Sequence, residues 1–125
     1  MTSTELDVVQ ALCGCVTHVE NYEGQEAFKT KDEKRFYALM MLCAEQLLEK
    51  KDVRDEYSRG KKEVWVVKEM HRSGRSEKVR GDVVLWLTEA RGLINSVPAD
   101  KWHTLKVSFE SLWSRVQLFC GHEAM

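Results

Sequence analysis

Residues 36–48, FYALMMLCAEQLL, decide the fold, because their apolar side chains leave only a narrow polar strip on a helix. The residues that carry the three-and-four spacing of a helix are Phe36, Leu39, Met40, Cys43, Leu47 and Leu48. Tyr37, Met41 and Leu42 widen this stripe, so a helix of these residues contacts neighbours on several sides. We therefore predict that it is the central helix of the domain.

The start of the central helix is indicated by Thr30 and Glu33, which have the spacing of a capping box. In that arrangement each of the two side chains accepts a hydrogen bond from the backbone N–H of the other residue. The charged stretch that follows Leu48, KKDVRDEYSR, reaches no strong helix breaker before Gly60. The sequence therefore predicts a helix that starts after Thr30 and that can continue as far as Gly60.

A first helix is predicted before the central one, starting at a cap formed by residues 3–4. Its apolar residues at helical spacing are Leu6, Val9, Leu12, Cys13, Val16 and Val19. Asp7, Gln10 and His18 lie on the opposite face. The pattern is broken at Gly24, so we expect the helix to end before that glycine.

The last predicted helix has the most regular pattern in the chain. Its apolar stripe consists of Trp102, Leu105, Phe109, Leu112, Trp113, Val116 and Phe119. Pro98 is expected in its first turn, where a proline needs no N–H partner, and Gly121 is expected to end it. Val107 and Leu118 lie opposite the stripe, as Leu85 does on the preceding predicted helix.

Residues 62–71 are ambiguous, because VWVV (64–67) is rich in β-branched and aromatic side chains and is typical of a strand. A strand here would form a hairpin with residues 77–87. That second segment, however, belongs to a stripe at helical spacing that starts after a Ser76 cap and runs from Val79 to Val97. We therefore favour a short helix over 62–71, with a β-strand as the alternative.

These segments together predict an all-α protein. Four helices joined by short or moderate loops are typical of an antiparallel four-helix bundle, here with a short additional helix or strand around 62–71. The 125 residues suit one helical domain that spans residues 1–125.

Composition favours an intracellular location. No stretch approaches the about 18 consecutive apolar residues of a transmembrane helix. The opening MTSTELDVVQ lacks the basic and apolar regions of a secretory signal, and four cysteines without such a signal indicate reduced thiols. We expect a cytoplasmic protein, with a nuclear location as the alternative.

A metal site is the one candidate for cofactor chemistry, because Cys13, Cys15, Cys120 and His122 repeat a two-residue spacing near both ends of the chain. Residues two apart on a helix point about 200° from each other, so Cys13 and Cys15 diverge. Zinc sites generally separate their cysteines by two to four residues. We therefore predict no metal site and no cofactor.

No phosphate-binding loop, nucleophile elbow or metalloprotease motif occurs, so we predict a non-enzymatic protein with no catalytic residues.

Charge is distributed unevenly along the chain. Residues 50–80 contain 11 Lys or Arg and 6 Asp or Glu, a net charge of +5, whereas residues 1–49 carry −5. The candidate anion-binding residues are Arg59, Lys61, Lys62, Lys68, Arg72, Arg75, Lys78 and Arg80. Arginine and lysine neutralise phosphates, so this segment indicates a protein that binds an anionic macromolecule, with RNA backbone as the leading hypothesis.

An alternative function from another class is that of a protein–protein adaptor or regulator. In that case Trp65 and neighbouring side chains contact the partner, and the charges orient it. Stray apolar residues such as Leu85 and Leu118 would then contribute to an interface, including that of a homodimer. A helical domain that lies on an anionic membrane surface is a further possibility.

Overall fold

The computed structural model describes residues 3–21, 28–54, 61–68, 82–97 and 102–124. Over these ranges the chain is mostly helical, with a small antiparallel sheet. The elements in chain order are α1 (Ser3–Asn21), α2 (Lys31–Leu47), β1 (Leu48–Arg54), β2 (Lys61–Val67), α3 (Asp82–Asn95) and α4 (His103–Ala124). None of the helices in these ranges is long and apolar enough to cross a membrane.

The predicted capping box at the start of α2 is confirmed. The Thr30 hydroxyl accepts a hydrogen bond of 3.1 Å from the Glu33 backbone N–H. The Glu33 carboxylate accepts from the backbone N–H groups of Thr30 and Lys29, each at 3.1 Å. Glu33 is buried in spite of its charge because its carboxylate is used in this way.

The predicted continuation of α2 towards Gly60 is wrong. The helix ends at Leu47, and Leu48 already has extended backbone angles, φ −122° and ψ 161°. Leu48 continues as β1, which pairs with β2. The backbone groups of 48–54 therefore find partners in the sheet, whereas a longer helix would have left the β-branched segment 64–67 without a strand to pair with.

The short helix favoured over 62–71 is also wrong for its first six residues, which lie in β2, and the strand alternative is correct there. The partner of β2 is not the segment 77–87: residues 82–87 are helical, and β2 pairs with β1. The register runs from Leu48 opposite Val67 to Arg54 opposite Lys61. Residues 69–71, at the end of the predicted short helix, lie outside the described residues.

The helices pack mainly as two pairs, α1 with α4 and α2 with α3, and β2 adds to the packing on α1. Aromatic rings join the two pairs in the core. The Phe36 and Phe109 ring centroids are 5.7 Å apart, and those of Phe28 and Trp102 are 4.7 Å apart. All four of these side chains are buried. The predicted all-α class therefore holds at the coarse level, with a small sheet added.

Both predicted limits of the last helix are wrong. α4 begins at His103, beyond Pro98, which itself lies outside the described residues. At its other end the helix passes through Gly121 to Ala124, because a glycine ends a helix only where it adopts a left-handed conformation. The predicted stripe is confirmed as a buried face, with Trp113 half-buried at its edge.

Candidate functional site

The basic segment predicted to bind anions is described only in part. Arg59, Arg72, Arg75, Lys78 and Arg80 lie outside the described residues. Lys61 and Lys62 are the first two residues of β2, and the structure describes only their backbone. Within this set, the structure describes the side chain of Lys68 alone.

Lys68 follows β2 and contacts the end of α2. Its ammonium donates a hydrogen bond of 2.7 Å to the carbonyl oxygen of Glu45, and its backbone N–H donates to the Leu47 carbonyl at 3.2 Å. The last carbonyls of a helix have no partner within the helix, so both bonds satisfy acceptors that α2 leaves open. Lys68 is thus engaged in holding the sheet to the helix.

Trp65, the predicted partner-binding residue, is half-buried and packs against the core. The Lys50 ammonium lies 5.0 Å from its ring centroid, which is within the range of a cation–π contact. The indole Nε1 is buried and has no hydrogen-bond partner among the described residues. The ring therefore forms part of the surface between the hairpin and the core.

The lysines of β1 lie near carboxylates. Lys50 Nζ is 3.2 Å from a Glu20 oxygen and 3.9 Å from a Glu63 oxygen. Lys51 Nζ is 3.8 Å from a Glu49 oxygen. These side chains are substantially exposed, so each pair contributes little stability. The charges of Lys50 and Lys51 are nevertheless partly balanced by these nearby carboxylates.

Like charges face each other at the outer end of the hairpin. Asp52 is directly opposite Glu63, and both are exposed. Like charges directly across an antiparallel pair are destabilising, so this pair lowers the stability of the hairpin.

The cysteines occupy positions in or beside the core. Cys15 and Cys43 are fully buried, whereas Cys13 and Cys120 are half-buried. Burial raises the pKa of the Cys15 thiol to about 12, against a smaller lowering by a hydrogen bond with Ser108. Burial likewise raises the pKa of Cys43 to about 12, with a further contribution from Cys15. Such thiols are poor nucleophiles and poor metal ligands at neutral pH.

Histidine, cysteine and acidic side chains do not converge on a metal-sized space in the part of the chain that the structure describes: no three of them are close enough to hold an ion. His122 falls in the last turn of α4, and its side chain lies outside the described part of the structure.

A groove of about 670 Å³ lies between α1 and α4, and the sequence patterns did not predict it. From α1 it is lined by Asp7, Gln10, Ala11, Gly14 and His18. From α4 it is lined by His103, Thr104, Val107, Ser108, Ser111 and Arg115. Its volume falls in the range of small-molecule sites, about 300–1,000 Å³.

Two polar groups in this groove are notable. Arg115 Nη1 donates to both the carbonyl oxygen of Ser111, at 2.9 Å, and its hydroxyl oxygen, at 2.6 Å, which folds the guanidinium back over α4. His18 Nδ1 is buried and has no hydrogen-bond partner in the described ranges. A buried polar atom without a partner is costly, and such atoms are often satisfied by bound groups.

Two features of the sequence at this groove depart from the helical pattern and are signals that something other than core packing occurs there. Gly14 stands in the middle of an otherwise regular helix, and Val107 lies off the buried stripe of α4 with 58 % of its surface exposed. Neither signal is specific without the packing of α1 on α4.

No protein-family description, no curated protein and no solved structure matches this chain.

Proposed function

We propose that this chain is a non-enzymatic, regulatory binding protein that engages an anionic macromolecule, in the first instance the backbone of RNA, through its basic segment, residues 59–80. The observation that carries this proposal is the net charge of +5 on residues 50–80 in a chain whose total charge is −1. A charge surplus concentrated in one part of a chain is typical of proteins that bind polyanions.

The contacts of the described neighbours support the assignment of roles within the segment. Lys50 lies beside Glu63, so this glutamate has a lysine outside the basic segment close to it. Lys68 is engaged with Glu45. The cations that we propose for phosphate contacts are therefore Arg59, Lys61, Lys62, Arg72, Arg75, Lys78 and Arg80.

The proposed mechanism is neutralisation of phosphates with little contact to base edges. Each guanidinium can place two N–H groups on one phosphate, and each contact releases condensed counterions from the nucleic acid. We infer a scaffold in which the four helices form an antiparallel bundle-like domain with the hairpin attached, since α1 packs on α4 and α2 on α3. We place the protein in the cytoplasm.

The test is fluorescence anisotropy with labelled duplex and single-stranded RNA over a series of salt concentrations. We expect log K to fall linearly with log salt, with a slope of about −0.7 to −0.9 for each phosphate contacted. Replacing both Arg72→Glu and Arg75→Glu is expected to abolish binding in moderate salt.

The matched control is the double variant Lys31→Glu and Lys34→Glu, which changes the net charge by the same amount at two exposed positions of α2. We expect it to keep most of the affinity. Absence of binding to either RNA in low salt would refute the proposal, as would an equal loss of affinity in both double variants.

A second candidate, a protein–protein adaptor or homodimer, is favoured by the exposure of Leu85 and Leu118, at 66 % and 64 % of their surfaces. Both are large apolar side chains that a partner could cover. Analytical ultracentrifugation distinguishes this function: a dimer that dissociates in the variants Leu85→Asp or Leu118→Asp supports it, and a monomer at high concentration argues against self-association.

A further inference from the structure

The groove between α1 and α4 is lined in part by a glycine that the packing of the described residues does not require. A Cβ atom built on Gly14 would meet nothing within 4 Å. Glycine is unfavourable in a helix interior relative to alanine. A helix usually keeps a glycine where a neighbouring element approaches closely, and no described residue approaches Gly14 in this way. The space over Gly14 is part of the groove itself.

One guanidinium of the groove can contact a negatively charged occupant. Among the described lining residues, Arg115 and Asp7 are the charged side chains, and His18 and His103 are polar groups that can form hydrogen bonds. Ser111 accepts two hydrogen bonds from Nη1 of Arg115, so the guanidinium is held in place before any ligand arrives. Its Nε and Nη2 groups have no partner within the described ranges, and these are donors that suit a phosphate or carboxylate.

The apolar part of the groove lies within reach of that guanidinium. Arg115 is folded back onto Ser111, and Ser111 is four residues from Val107, about 6 Å along the helix axis. Val107 is exposed, and a ligand that lay over it would cover apolar surface. A ligand in which a ring system is attached to an anionic group could contact the Arg115 guanidinium and Val107 together, because about 6 Å separates Ser111 from Val107 along the helix axis.

We propose that the groove between α1 and α4 is a binding site for a small organic anion, a phosphate or carboxylate attached to an apolar body. Arg115, positioned by Ser111, holds the anionic group, and the body lies between Gly14 and Val107. The His18 imidazole lines the same groove. None of the described lining residues belongs to 59–80, so variants at Gly14 and Arg115 test this proposal independently of RNA binding.

The test is an NMR titration of the ¹⁵N-labelled chain with three probes that share one ring system. 1-Naphthyl phosphate and 1-naphthoate carry the two candidate anions, and 1-naphthol is the neutral control. We expect the amide signals of Gly14, Val107 and Ser111 to shift with the two anions and much less with naphthol. The tighter of the two anions identifies the chemical group that the site prefers.

Two variants probe the site itself. Arg115→Gln removes the guanidinium at an exposed position, and we expect affinity for the anions to fall about tenfold or more. Gly14→Leu places a side chain in the groove and is expected to abolish the shifts. Gly92→Leu is its control, because a Cβ on this α3 glycine also meets nothing within 4 Å, and Gly92 does not line the groove.

The proposal is overturned if no groove signal shifts at millimolar probe, if naphthol binds as tightly as the anions, or if Arg115→Gln binds like the unchanged chain. Circular dichroism of each variant checks folding. Should Gly14→Leu fail to fold, Arg115→Gln and the neutral probe still decide the question, because neither alters the core.

Discussion

The Lys68 ammonium donates a hydrogen bond of 2.7 Å to the carbonyl oxygen of Glu45, and this bond joins the end of β2 to the last turn of α2. A cation at this position satisfies a carbonyl that the helix leaves open and interacts favourably with the negative end of the helix dipole. Lys68 therefore has a structural role at a position that charge pattern alone assigns to phosphate binding.

Removing this contact is expected to lower stability. Lys68→Met keeps most of the aliphatic length and removes the charge and the donor, and we expect the free energy of unfolding to fall by about 1 kcal/mol. Urea denaturation followed by circular dichroism measures the change. Lys34→Met, at an exposed position of α2, is the control. Equal stabilities of the two variants would show that the Glu45 contact contributes nothing.

The like-charged pair Asp52 and Glu63 gives a prediction of opposite sign. Asp52→Lys places opposite charges across the two strands, and we expect the free energy of unfolding to rise by about 0.5 kcal/mol at low salt. Asp52→Ser should recover part of that gain by removing the repulsion alone. The difference between the two variants should shrink in 1 M NaCl, where surface charges are screened. Destabilisation by Asp52→Lys would mean that the register or the exposure of this rung is wrong.

The ion pair between Arg35 and Glu89 links α2 to α3 and makes stability depend on pH. A hydrogen bond of 2.6 Å from Arg35 is the main cause that lowers the pKa of Glu89 below its usual value. Since the folded pKa lies below the unfolded one, the contribution is present above the unfolded pKa and is lost as pH falls through the folded pKa.

We therefore expect Glu89→Gln to be less stable than the unchanged chain at pH 7 and equally stable once the pH is low enough to protonate Glu89 in the folded chain, because both then carry a neutral side chain. Thermal unfolding at both pH values measures this. The effect is small and salt-sensitive because the pair is on the surface. A difference that persists at acid pH would assign it to packing instead of charge.

The buried thiols give a chemical prediction. Because burial raises the pKa of Cys15 and Cys43 to about 12, both should resist iodoacetamide at pH 8 in the folded chain and react after unfolding in urea. Mass spectrometry of peptides measures the modification of each site. Rapid labelling of Cys15 under native conditions would show that the interface of α1 with α4 opens.

The four helices could be predicted from the sequence because each carries a continuous apolar stripe, and the start of α2 because Thr30 and Glu33 form a local motif. The strand β1 could not. LEKKDVR has two apolar residues, Leu48 and Val53, and its extended conformation depends on pairing with 61–67 across the hairpin. Helical periodicity reports only how apolar residues are distributed within one segment. The prediction therefore extended α2 through residues 48–54, whose hydrogen-bonding partners are residues 61–67.

The candidate sites show the same limit. Charge counting predicts that Lys68 binds phosphate, and it cannot reveal the hydrogen bond that the Lys68 ammonium donates to Glu45. The groove was missed because its lining residues on α1 and α4 lie about a hundred positions apart in the chain. Asp7, Gln10 and His18 were correctly placed away from the main stripe of α1, yet only the position of α4 makes them line one space.

The direct succession of α2 and β1 has a mechanical consequence. Leu47 is the last helical residue and Leu48 the first of the strand, and both are buried, so no linker absorbs a displacement between them. A displacement of β1 is therefore passed directly to the last turn of α2. If binding of a polyanion restrains β1 and β2, we expect slower amide hydrogen exchange in residues 44–47.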